Sequence, residues 1–177
     1  MNKNTYSEYV KPVLILTLIC FVVSAALALT NAKTAPIIKA EKLRLATEQR
    51  AQMFPEAAEF EEIKTDREGV ESIYSVDGDK GYVIEVMGNG YKGKIKVTVG
   101  IDKEGKIVGI TADASGESAR VGSKVGEEAY LSKYKEIGEQ EVGEVSIISG
   151  ATLSCKGVNG AVKTAFEVYK ELAGVTK

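Results

Sequence analysis

Hydrophobic positions along this chain follow three rhythms in turn. The first is continuous: "VLILTLICFVVSAALALTNA", Val13 to Ala32, is twenty residues without a charge. At about 1.5 Å per residue, a helix of that length spans roughly 30 Å, the thickness of a hydrocarbon core. A transmembrane helix is therefore expected over 13–32, with Pro12 at its front edge, where a helix start tolerates proline. "ALALTNA" has the small-residue spacing of a cleavage site, but the run is longer than a signal core, so an uncleaved anchor is expected. Lys3 and Lys11 precede the run, and Lys33, Lys39, Lys42 and Arg44 follow it. Counting positive charges thus leaves the orientation open. An anchor that begins with its apolar run places residues 1–12 in the cytoplasm.

The second rhythm is helical and weak. In "AEKLRLATEQRAQM", Leu43, Ala46, Arg50 and Met53 recur at steps of three and four, a thin apolar face that ends before Pro55. Residues 33–72 read as a stalk and linker. From about Ile73 the period shortens to two. "GYVIEVMG" alternates Tyr82, Ile84 and Val86, and "GKIKVTVGID" alternates Ile95, Val97, Val99 and Ile101 against Lys94, Lys96 and Thr98. "DKEGK" supplies a turn and "KIVGITAD" returns, which makes a half-buried antiparallel hairpin. "SKVGEEAYLSKYKEI" reads as a short helix and "VGEVSIIS" as a last strand. A closing amphipathic helix carries Val158, Ala161, Val162, Ala165, Tyr169 and Leu172 on one stripe. The expected class is α+β: an antiparallel sheet packed with helices over 73–177, behind one transmembrane helix.

Composition narrows the chemistry. The 177 residues contain no histidine, which removes Ser-His-Asp triads, His-ligated zinc or haem and imidazole proton shuttles. Cys20 and Cys155 are the two cysteines, too few for a cysteine-ligated cluster within the chain. One lies in the apolar run and the other near the far end, so both are read as free thiols. The net charge of −2, with both signs interspersed, gives no nucleic-acid footprint. Any redox group must then be organic or held by non-sulfur ligands, and no metal site is expected.

"SIISGATLSCKGVNGAV", Ser146 to Val162, concentrates small residues where a strand would meet the last helix. A helix N-terminus presents unpaired N–H groups and a positive dipole end, which suit an anion such as phosphate. Gly150 permits close approach, Ala151 keeps the place uncrowded, and Ser149, Thr152 and Ser154 add hydroxyls. The plainer alternative is that Thr152 or Ser154 is an ordinary N-cap. The segment lacks a Walker A pattern, and no G-x-G-x-x-G follows a strand.

"SGATLS" resembles the [ST]-G-A-T-x-[ST] signature of domains in which FMN is esterified through its phosphate to the threonine. "GNGYKGKIKVTVGIDKEGKIVGI" is similar to that family's central hairpin, and "GESARVG" stands where the family has E-T-P-G-x-G. With one anchor ahead of such a domain, the chain resembles the G subunit of Rnf-type ion-translocating electron-transport complexes, a relative of the C subunit of the sodium-pumping NADH:quinone reductase. The resemblance implies FMN bonded to Thr152, with Ser149, Gly150, Ala151 and Ser154 shaping the phosphate cradle and Glu117 and Ser118 near the flavin. Thr152 is then an attachment site and not a nucleophile in turnover. The resemblance further implies a flavin transferase, other membrane and redox subunits as partners, and a flavin domain on the extracytoplasmic side. The chain departs from the pattern at Ser146, where the family often has an acid, and at Ala119 and Arg120, where it has Pro and Gly. A stand-alone extracytoplasmic flavin carrier, or a tethered binding domain without redox chemistry, would fit the residues as well.

Overall fold

The computed structural model describes residues 10–78 and 80–174. Residues 1–9 of the predicted N-terminal segment and the last three residues of the predicted domain lie outside them. The chain divides into two compact units between Thr47 and Glu48.

The first unit is helical. A single helix, α1, runs Lys11–Met53 and carries the whole uncharged stretch, long and apolar enough to cross a membrane. Its threonines bond back into the helix: Thr17 Oγ1 donates to the Val13 carbonyl at 2.8 Å and Thr30 Oγ1 to that of Ala26 at 2.9 Å. Neither of these hydroxyls needs water, which is what a lipid environment demands. The weakly helical stretch from Ala40 is continuous with the apolar run, through Pro36.

The second unit is an antiparallel sheet in the order β1-β2-β3-β4-β5. The strands are β1 (Phe60–Ile63), β2 (Val70–Val76), β3 (Gly81–Asn89), β4 (Lys94–Asp102) and β5 (Ile107–Asp113). The sheet thus begins inside the segment read as a linker. Two short helical pieces flank a four-residue helix, α2 (Glu128–Leu131), and the chain closes with α3 (Thr152–Leu172). In the β3–β4 ladder, Tyr82 faces Ile101, Ile84 faces Val99, Val86 faces Val97 and Gly88 faces Ile95. The apolar side chains of these pairs form one core with Val158, Ala161, Val162, Ala165 and Tyr169 of α3. The helix runs antiparallel to β3. The Tyr169 ring meets that of Tyr82 edge-on at 6.0 Å, while Gly157 meets Gly88 at the other end.

The opposite face of β3 is also buried, which alternation alone does not foretell. Met53, Val76 and Val83 form a second small core with Phe54, Phe60 and Tyr74 against it. Beside it Glu85, buried, takes the Ser72 hydroxyl at 2.6 Å and the Lys96 ammonium at 2.7 Å, with Arg50 at 3.5 Å. Arg50 also lies over the Tyr74 ring, 4.0 Å from its centre. Burial alone would lower the Lys96 pKa, but Glu85 and Glu71 outweigh it and raise it. The last turn of α1 is therefore part of the folded second unit.

The expected strand over "VGEVSIIS" does not form. Glu139–Glu144 is a 3-10 turn, and Val145 leads from it in an extended conformation without a ladder. The start of β5's open edge is already taken: Ile107 donates to the Ile137 carbonyl at 3.1 Å and accepts from Glu136 N at 2.8 Å.

Candidate functional site

The "SGAT" segment leads into α3 through a tight turn. Ala151 N donates to the Ile148 carbonyl at 3.0 Å, and Gly150, with φ +82°, supplies the left-handed third position such a turn requires. Ala151 is the N-cap, and no side chain caps the helix. Neither Thr152 nor Ser154 fills the ordinary capping role. Thr152 is the first helical residue and is exposed; Ser154, two residues on, is buried. The first ladder bond is Cys155 N to the Ala151 carbonyl at 2.9 Å, which leaves the N–H groups ahead of it for a ligand or water.

A pocket of about 400 Å³ opens over this end, lined by Tyr91, Ser118, Val121, Gly150, Ala151, Thr152, Leu153 and Ser154. Its volume lies in the range of small-molecule sites. Of the site residues expected from the sequence, Ser118, Gly150, Ala151, Thr152 and Ser154 line it, and Ser149 and Glu117 do not. A larger cleft of about 550 Å³, around Phe54, Val76 and Lys103, holds none of them.

Glu117 is buried, and both its oxygens are engaged. Oε1 accepts from Lys92 N at 2.9 Å and Gly93 N at 3.3 Å; Oε2 accepts from Tyr91 N at 3.1 Å and the Ser154 hydroxyl at 2.5 Å. Burial pushes this carboxyl upward, but the Ser154 hydroxyl and the three backbone N–H groups together hold it below the usual carboxylate range. It straps the β3–β4 turn to the first turn of α3. Ser118 Oγ accepts from Gly122 N at 3.1 Å, closing the following loop. In that loop Arg120 adopts φ +68°, so the place where the resemblance expects glycine keeps a glycine conformation with an arginine side chain.

Sequence reading missed the glycines that let these parts meet. A Cβ on Gly157 would lie 2.5 Å from the Asn89 carbonyl oxygen, one on Gly88 2.3 Å from that of Gly157, and one on Gly90 2.4 Å from Glu117 Oε1. The signal was present: a glycine inside a helix, facing "GNG" at a strand end, marks close backbone approach. Missed too was the apolar rim of exposed Tyr91, Val121 and Leu153.

An uncapped helix start, a small-residue turn and a pocket rimmed by exposed apolar side chains thus meet at one end of the α+β domain. The FMN-binding domain family matches residues 90–167, which takes in this site. Over 197 aligned positions the chain is 30% identical to the G subunit of the Na(+)-translocating ferredoxin:NAD(+) oxidoreductase complex of Acetobacterium woodii, covering 92% of this chain and 94% of that one. It is 20% identical to the G subunit of the proton-translocating ferredoxin:NAD(+) oxidoreductase complex of Clostridium ljungdahlii, over 90% of each chain. The chain belongs to the G-subunit family of these oxidoreductase complexes, and its matched domain is an FMN-binding domain.

Proposed function

We propose that this chain is a membrane-anchored flavoprotein subunit that carries FMN as a phosphoester on Thr152 and relays electrons within an ion-translocating ferredoxin:NAD oxidoreductase complex. The observation that carries the covalent reading is the place of Thr152: an exposed hydroxyl on the first residue of an uncapped 21-residue helix, at the wall of a pocket. A capping threonine would be turned onto its own helix. This one is presented outward.

The residues suit the group. The first-turn N–H groups of α3 would hold the phosphate. Gly150 and Ala151 leave room for it: a Cβ on Gly150 would meet only Val121, at 3.4 Å. A phosphate monoester carries close to two negative charges and its threonine diester one, which lowers the cost of desolvating it at the helix end. Tyr91, Val121 and Leu153 offer the ring system an apolar ledge. Glu117 and Ser154 act from behind, fixing the Tyr91 turn and the helix start to each other, while Ser118 shapes the loop that carries Val121. The flavin, when bound, supplies the electron chemistry; the chain supplies position and electrostatics.

In this reading residues 13–32 cross the membrane, 1–12 lie in the cytoplasm and the flavin domain lies outside. A covalent tether supports that placement, because a flavin lost there would have little free flavin to replace it. Attachment requires a flavin transferase, and electrons pass to and from other subunits. Similarity across nearly the whole length of two complex subunits favours this over a stand-alone carrier.

Denaturing electrophoresis of membranes from the native host tests it. Flavin fluorescence should stay with the band and vanish in Thr152→Val. Protease added to intact cells stripped of their wall should remove the domain, and gentle solubilisation should recover partner redox subunits. A non-fluorescent wild-type band from cells with an active transferase contradicts the covalent reading.

A further inference from the structure

We propose that Cys155 is a positioning residue for flavin attachment: its thiol latches the Ile148–Ala151 turn into the shape that presents Thr152. This rests on the covalent reading above. Cys155 grips both ends of the turn. Its sulfur accepts the Ile148 N–H at 3.4 Å, and its own N–H donates to the Ala151 carbonyl at 2.9 Å. The turn's internal bond, Ala151 N to the Ile148 carbonyl, completes the loop.

Behind the sulfur lies a buried chain of polar groups. The Tyr130 hydroxyl neighbours the Cys155 thiol, the Tyr130 and Tyr134 hydroxyls lie 3.0 Å apart, and the Tyr134 hydroxyl donates to Asn159 Oδ1. Ile148 N–H donates to sulfur; behind it Tyr134 donates to Asn159, one helical turn beyond Cys155, so Tyr130 is the donor to Tyr134. Chained donors polarise one another. Burial, helped by the neighbouring hydroxyl and thiol, raises the Tyr130 pKa, and burial raises that of Tyr134, so both phenols stay protonated and able to donate. Cys155 and both tyrosines are buried, whereas Thr152 is exposed. The thiol is absent from the pocket lining, so it acts through the turn and not on the ligand.

The attachment step puts a bond from Thr152 Oγ1 to the FMN phosphorus of a flavin dinucleotide. The pyrophosphate P–O bond breaks, the nucleoside monophosphate leaves and the hydroxyl proton passes to solvent. Its rate depends on how the turn holds the hydroxyl.

The test is a time course of adduct formation by intact mass. It uses the full chain in detergent, purified unmodified and supplied with the transferase and the dinucleotide. Cys155→Ser retains a donor and an acceptor and should keep the wild-type rate. Cys155→Ala has neither and should slow the adduct on the order of tenfold, the worth of about one buried hydrogen bond. It should also speed deuterium exchange at the Ile148 amide. Tyr130→Phe removes the hydroxyl that bonds Tyr134 behind the sulfur but keeps the Ile148 bond, so it should lower the thermal midpoint and spare the rate. A wild-type rate in Cys155→Ala overturns the latch, as does a rate that merely follows the midpoint across all three variants. A wild-type chain that never gains the adduct, or a Thr152→Val chain that does, overturns the attachment reading instead.

Discussion

Glu117→Gln isolates the strap that builds the site. The carboxylate accepts four hydrogen bonds while buried: three from consecutive backbone N–H groups of the β3–β4 turn and one from Ser154. Glutamine keeps one acceptor oxygen, which serves Lys92 and Gly93. Its amide nitrogen then faces the Tyr91 N–H, donor against donor, and accepts nothing from Ser154. The lost charge-assisted bond and the stranded N–H together cost about 2–4 kcal/mol. For the 130 residues from Glu48 to Lys177 that is roughly 7–15 °C in thermal midpoint. The assay is thermal unfolding of the unmodified chain in detergent, followed by tyrosine fluorescence, since the chain has eight tyrosines and no tryptophan.

The same variant has a pH signature. The folded-state pKa of Glu117 is depressed, so its contribution is fully present above the unfolded value, about 4.5, and is lost as pH falls through the lower folded value. Wild type should therefore lose stability more steeply than Glu117→Gln as pH falls below about 4.5. A midpoint within about 2 °C of wild type at pH 7, about half a kilocalorie per mole or less, would refute the strap. Parallel acid limbs would do the same.

Two further perturbations probe the same loops. Gly157→Ala places a Cβ 2.5 Å from the Asn89 carbonyl oxygen, so α3 must shift off β3. A loss of about 2 kcal/mol or more is expected despite alanine's better helix propensity, read as a lower urea midpoint, and a gain would refute the close-approach argument. Arg120→Gly should raise stability by about 0.5–1 kcal/mol, because φ +68° costs an arginine what it does not cost glycine; a fall in the urea midpoint would count against it.

The parts legible in the sequence were those where one physical rule governs. The β3–β4–β5 ladder and the stripe of α3 follow from apolar side chains repeating at periods of two and 3.6, and both pack as that pattern requires. The linker's strand was hidden because "FEEI" shows two exposed glutamates and only two apolar residues, too little for a period to emerge. Alternation sets Val83 and Glu85 on the face opposite Tyr82, Ile84 and Val86, yet the end of α1 covers them, and only tertiary structure brings Arg50 and Met53 there. "VGEVSIIS" has strand composition but joins no ladder, and Glu136 and Ile137 hold the start of the β5 edge.

At the site, "SGAT" alone left the helix start open between an anion site and an ordinary N-cap, and the structure shows that no side chain caps it. Glu117 was placed near it by resemblance, but its use as a strap depends on three N–H groups converging from a turn some 25 residues away, and no local pattern encodes that. The Cys155 latch was equally hidden. Its partner is a backbone N–H seven residues back, at Ile148, and the thiol by itself reads as a small buried side chain.

The central claim is that Thr152 is bonded to FMN. Its most direct test is tandem mass spectrometry of the peptide containing Thr152, from the chain purified out of its native host. The account predicts an added mass of FMN less one water, on Thr152 and on no other residue. The unmodified peptide from cells with an active flavin transferase, or the adduct on Ser149 or Ser154, would contradict it.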